Sequence, residues 1–222
     1  MGRVGPAEPA WPVREQTQAE KGWWYARFHI QWDQEQEPAW HTDLVIAHRV
    51  VAPALHRYSR DVSLWRFHRR AAPDKAGHQF SFIFYSTPET ARKVYGAIRS
   101  NSFLREIKAA GIIMEDIYDD TAGVVRPGIG ATSDAAWSKP VREAWPWFIM
   151  GVCETWLGLV AQTADNSGEK LSTLQETMEL YRKVNESVES SWTKEGAHAY
   201  LHHMNAVFGY APLDIGKRQI RF

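Results

Sequence analysis

The chain has 222 residues, 44% hydrophobic and 23% charged, with 26 basic side chains balancing 26 acidic ones. Such a composition is globular and excludes collagen, coiled coil and wholesale disorder. The absence of net positive charge argues against sequence-independent nucleic-acid binding. A single cysteine, Cys153, excludes an intramolecular disulfide, a Cys-based zinc site and an iron–sulfur cluster, and suits a reducing compartment. The most apolar run, Trp145 to Val160, is interrupted by Pro146, Glu154 and two glycines, so no spanning segment is expected. The expected location is cytoplasmic, away from membranes.

Residues 1–21 read as a flexible leader ahead of a single α+β domain over 22–222, with a sheet part at 22–133 and a helical part at 134–222. Gly22 to Gln31 alternates Trp24, Ala26, Phe28 and Ile30 with Tyr25, Arg27, His29 and Gln31, the period-two pattern of a strand. His41 to Tyr58 carries Leu44, Val45, Val51, Ala52 and Leu55 at helical spacing, with Pro53 expected to kink or end the helix. Asp61 to Arg70 and His78 to Tyr85 alternate again and are joined by a tight loop, which predicts a hairpin. Ser86-Thr87-Pro88-Glu89 is a helix start, with a hydroxyl near the cap, proline at the first position and an acid in the first turn. That helix is expected to reach Ser100, and a shorter one to cover Phe103 to Ala109. A fourth strand follows at Ile112 to Tyr118, then a loop from Asp119 to Ser133.

The order β-α-β-β-α-β predicts a ferredoxin-like sheet with both helices on one face. Three helical segments are expected beyond it, Asp134 to Ala164, Ser172 to Ser190 and Lys194 to Phe208, forming a layer over the sheet's free face.

Candidate chemistry falls in three places. Glu195, His198 and His202 lie three and four residues apart and share a helix face, a possible ligand set for one divalent metal. The competing reading makes a histidine of this segment a general acid or base. His203 points about 100° from that face. The hairpin holds Arg66, His68, Arg69, Arg70 and His78, and guanidinium forks suit carboxylate or phosphate. Arg126 stands beside the glycines of the 127–130 loop. No GxGxxG, Walker A or G-x-S-x-G motif occurs. Eleven tryptophans fit either core aromatics or an aromatic peptide groove.

Three segments in this order, WWYARFHI followed by VVAPAL, the hairpin FHRRAAPDKAGHQFSF, and LHHMNAVFG, resemble the C-terminal elimination domain of lantibiotic dehydratases and the related thiopeptide pyridine synthases. The resemblance spans roughly Trp23 to Gly209. It implies a lyase-like enzyme of ribosomal peptide natural-product biosynthesis, acting by elimination or cyclisation on a dehydroamino-acid peptide that carries a leader. On that reading His203 is the acid/base, and Arg126 with Arg69 hold the anionic leaving group. Tyr25, Arg27, Arg66, His78, Phe80, Phe82 and Asn205 line the substrate site. No organic cofactor is implied. Phe80 and Phe82 stand where the family's strand tends to carry arginines, which fits a different, apolar substrate. A non-catalytic partner that holds a peptide or a modification enzyme through its Trp-rich surface is the alternative.

Overall fold

A computed structural model of the chain describes residues 20–168 and 171–210. The expected leader therefore lies almost wholly outside the described residues. Four strands, β1 (Gly22–Ile30), β2 (Leu64–Ala71), β3 (His78–Ser86) and β4 (Ile113–Tyr118), form one sheet in the order β2-β3-β1-β4. Every neighbouring pair is antiparallel. Registers pairing Phe28 with Phe80, Ala26 with Phe82 and Trp24 with Phe84 place these side chains on one face, as period two requires. Phe67 and Trp65 of β2 join them opposite Phe82 and Phe84.

That face is covered by helices. The first runs as α1 (Trp40–Val45), a π-helical turn (Ile46–Val51) and α2 (Ala52–Arg57). Pro53 sits just after the widened turn and does not end the helix. It has no N–H to offer the Arg49 carbonyl four residues back. The Asn101 side-chain amide donates to that carbonyl at 2.9 Å. Asn101 also caps α4 (Ser102–Ala109), accepting from the Leu104 N–H. Before it, α3 (Pro88–Ser100) starts at Thr87, whose hydroxyl accepts from Thr90 N–H. Leu44, Val50, Val94, Ile98, Leu104 and Ile107 are buried against the sheet's phenylalanines in one core.

Two features of the helical part bear on what was expected of it. First, the helix expected over Asp134 to Ala164 is present as α5 (Lys139–Asp165, 27 residues), which starts five residues later and runs unbroken through Pro146, Gly151 and Gly158. Pro146 deprives the Arg142 carbonyl of its donor, and Ser133 Oγ supplies the bond instead at 2.7 Å. The short 3-10 turn Ile129–Thr132 that brings Ser133 there packs so tightly that a Cβ on Gly130 would stand 3.0 Å from the Arg142 oxygen. By length and composition α5 is apolar enough to cross a membrane, and few of its residues are buried. Second, α6 (Leu174–Gly196), a π-helical turn (Ala197–His202) and α7 (His203–Val207) make one continuous rod where two helices were expected. Gly196 permits it: the Trp192 ring lies over this position, 2.9 Å from where a Cβ would be.

The helical part does not cover the sheet's other face. Instead, α5 lies along the outer edge of β2, where Cys153 Sγ accepts from Phe67 N–H at 3.2 Å. Edge strands present unpaired N–H groups of this kind, and α5 covers this one. The rod packs against α1 and α5, with Leu180, Tyr181, Val184 and Val188 entering the core. The opposite face of the sheet carries a small cluster of Trp23, Leu64 and Ile83, flanked by Met150 and the 119–133 loop.

Candidate functional site

Three groups of residues carry the polar and aromatic features singled out from sequence, and the fold keeps them apart.

The first is a groove of about 740 Å³ between α5 and the rod. Phe148, Val152 and Leu159 line it from α5, and Val188, Trp192 and Leu201 from the rod. Trp192, Phe148 and Leu201 remain half-exposed in an otherwise unfilled apolar channel. Arg69 reaches the groove from β2, beside Trp156. Its Nε donates to Asp43 Oδ2 at 2.8 Å and its Nη2 to the Trp40 carbonyl at 3.1 Å. The guanidinium carbon also lies 5.2 Å from the Trp40 ring centroid and 5.0 Å from that of Trp156. Two hydrogen bonds and two indoles thus fix the fork, and Nη1 has no hydrogen-bond partner among the described residues. A cation held rigidly beside an apolar channel is arranged to meet an anionic group.

Behind Arg69, Asp43 is fully buried and takes a second bond at 2.9 Å from His78 Nε2, which is buried too. A carboxylate only accepts, so Nε2 carries the hydrogen. His78 Nδ1 has no hydrogen-bond partner among the described residues. His78 therefore positions Asp43, which positions Arg69, and does not itself meet solvent. Glu189, hydrogen-bonded by Asn185 Nδ2 at 2.9 Å, is the acidic group of the groove lining.

The second group lies across the sheet. Asp119 binds Tyr25 N–H at 3.1 Å, pairs with Arg27 at 3.3 Å and makes an ion pair with Arg126. Both guanidiniums sit 4.5 Å from the centre of the Tyr25 ring. Arg126 Nε further donates to the Trp23 carbonyl at 3.3 Å. Trp23 Nε1 donates to the carbonyls of Gly128 and Ile129, and Tyr85 hydroxyl to that of Pro127. These bonds pin the 119–133 loop onto the sheet, so Arg126 serves as a tie. Arg66 lies on the same face, 4.9 Å from the Trp145 ring centroid, and burial lowers its pKa from the ordinary value.

The third group is the histidine cluster of the rod. His198 and His202 stack with centroids 5.3 Å apart, and His203 lies edge-on to both. All three are exposed. Among the described residues no three His, Cys, Asp or Glu side chains gather closely enough to hold a metal ion, the set Glu195, His198 and His202 included.

Set against the sequence expectations, Tyr25, Arg27, Arg66 and Arg126 share one face of the sheet, while Arg69 works from the other. His203 lies among exposed histidines and lines neither site. Phe80 and Phe82 are fully buried, as is the His78 side chain, so these three do not line a substrate site. They stand on the helix-covered face because β3 presents it toward α1–α4. Asn205 accepts backbone N–H bonds from Phe208 and Tyr210 at its carbonyl and lies outside the groove lining. Sequence reasoning missed Asp43, Asp119 and Trp156. The one available signal for Asp43 was an acid within the apolar face of the first helix, next to Leu44 and Val45.

No protein-family model, curated protein or solved structure matches the chain.

Proposed function

We propose that the chain is a peptide-binding partner protein that seats an apolar peptide segment between α5 and the rod, with a carboxylate of that peptide against Arg69. The groove carries this reading: an aromatic-lined channel of about 740 Å³ with one fixed guanidinium at its wall. Small-ligand and peptide sites are concave, mostly apolar and furnished with few oriented polar groups. The setting, a complex that modifies ribosomally made peptides, rests on the sequence resemblance, and the ferredoxin-like assignment of the sheet rests on the β-α-β-β-α-β order of its elements. Lyase chemistry through His203, Arg126 and Arg69 would need all three to face one bound substrate, and they are distributed over three separate places.

The test is a titration of short apolar peptides, made once as free C-terminal acids and once as amides, followed by intrinsic Trp fluorescence, since Trp156 and Trp192 line the groove. The acid should bind roughly tenfold or more tightly than the amide, the scale of one charge-assisted hydrogen bond. His203→Ala should leave binding unchanged. Equal affinities of acid and amide would remove Arg69 from the reading. No spectral change with either peptide would remove the groove.

A further inference from the structure

At the opposite edge of the sheet from the groove, a cleft of about 530 Å³ lies between the end of α3, α4 and β4. Arg99, Arg105 and Lys108 line it, with Asp116, Tyr118 and Leu104. The single carboxylate among the described lining residues is already engaged: Asp116 pairs with Lys108 and accepts from the Tyr118 hydroxyl at 2.7 Å. Burial, with that bond, pushes the Tyr118 pKa up, so the phenol keeps its proton and remains a donor.

The two arginines are placed but not neutralised. The Arg99 guanidinium stacks 4.2 Å from the centre of the Tyr118 ring. Arg105 Nη1 donates to the Ser100 carbonyl at 2.9 Å. Neither makes an ion pair among the described residues, whereas Lys93 and Arg182, also exposed on helices, are paired with carboxylates. Three cations against one acid leave the cleft with a formal charge of two, matched to a dianion. Guanidinium forks recognise tetrahedral oxyanions by paired hydrogen bonds.

We infer that the cleft between α3, α4 and β4 is a binding site for a phosphate dianion, held by Arg99 and Arg105 with Lys108 beside them. The anion is either inorganic phosphate or the phosphate of a monoester whose organic part lies against Leu104 and Tyr118. The site is independent of the groove.

Calorimetry with inorganic phosphate and, separately, phenyl phosphate tests this at constant ionic strength. Saturable binding of one phosphate per chain is expected, with a dissociation constant on the order of 1 mM or tighter. Arg99→Gln and Arg105→Gln should each weaken it roughly tenfold, the scale of a lost charge-assisted contact. Arg92→Gln, on α3 but outside the cleft, should leave it unchanged. Tighter binding of phenyl phosphate identifies a monoester as the ligand; equal or weaker binding identifies phosphate itself. Circular dichroism checks that each variant is folded, and Arg105→Lys provides a conservative replacement should Arg105→Gln unfold. Absence of saturable binding, or the same loss in all three glutamine variants, overturns the site, because diffuse surface charge gives that second pattern.

Discussion

Gly151 offers a way to close the groove without harming the fold. It lies inside α5, faces the groove, and a Cβ built on it meets nothing within 4 Å. Glycine in a helix interior costs about 0.8–1 kcal/mol relative to alanine, because the free chain loses more backbone entropy on folding. With no steric charge against the new methyl, Gly151→Ala should stabilise the protein by about that amount. For a chain of this size the melting temperature should rise by about 2–4 °C. Gly151→Leu should keep most of this gain, since leucine is nearly as good a helix former, while its branched end enters the channel between Val152 and the rod. Urea unfolding measures the stability of both variants, and the peptide titration measures binding. Leucine should weaken peptide binding more than about tenfold while stability stays at or above that of the parent. A destabilised Gly151→Ala would show that α5 is not helical and open at this position. A stable Gly151→Leu with undiminished binding would show that peptide sits elsewhere.

Other outcomes follow from particular bonds. Thr173 and Glu176 form a reciprocal capping box at the start of α6, so Thr173→Ala should cost about 1 kcal/mol in urea unfolding; an unchanged midpoint would mean that α6 is not capped there. Asp43→Ala leaves Arg69 and buried His78 without their shared carboxylate and should destabilise by about 3 kcal/mol or more, whereas a loss under 1 kcal/mol would contradict the buried pairing. Burial lowers the pKa of His41, His48 and His68 in the folded chain, so the unfolded state binds protons first. Their contribution is complete above the unfolded value of about 6.5 and is lost as pH falls below it toward the lowered folded values. Beside the burial that lowers it, His48 has the Tyr181 hydroxyl 2.7 Å from Nδ1, and Tyr181 keeps its proton because burial raises its pKa to about 12, so a neutral ring with its lone pair at Nδ1 can accept from it. Stability should therefore decline as pH falls below about 6.5, and His48→Gln should flatten part of that slope; an identical slope in the variant would remove His48 from the account.

Local pattern sufficed for the strands. Alternation in β1 and β3 set which residues share a face, because a strand turns its side chains over at every step, and the Thr87-Pro88 start of α3 stands where capping chemistry put it. At the prolines local rules left more open: a kink or an end was expected at Pro53, while Pro146 fell inside a helix expected to continue. Pro53 and Pro146 each free a carbonyl, and whether the helix survives depends on a donor outside that helix, Asn101 in one case and Ser133 in the other. The break expected near residues 190–194 does not occur, because Trp192 packs over Gly196 one turn on and the rod continues.

The functional residues divide along the same line. Sequence supplied the residue types: arginines in the hairpin and loop, histidines on the last helix, and many tryptophans. It could not assign faces across elements. Arg69 and Arg126 both looked free to bind an anion, but the sheet places them on opposite sides and gives each an aspartate, Asp43 and Asp119, from a distant segment. His78, Phe80 and Phe82 looked available because strand periodicity fixes which residues face together, not which face a helix will cover. The groove itself belongs to no single segment. It exists only where α5, held to the β2 edge through Cys153, and the continuous rod fail to close over Arg69, an arrangement set by long-range packing that neighbours in sequence do not encode.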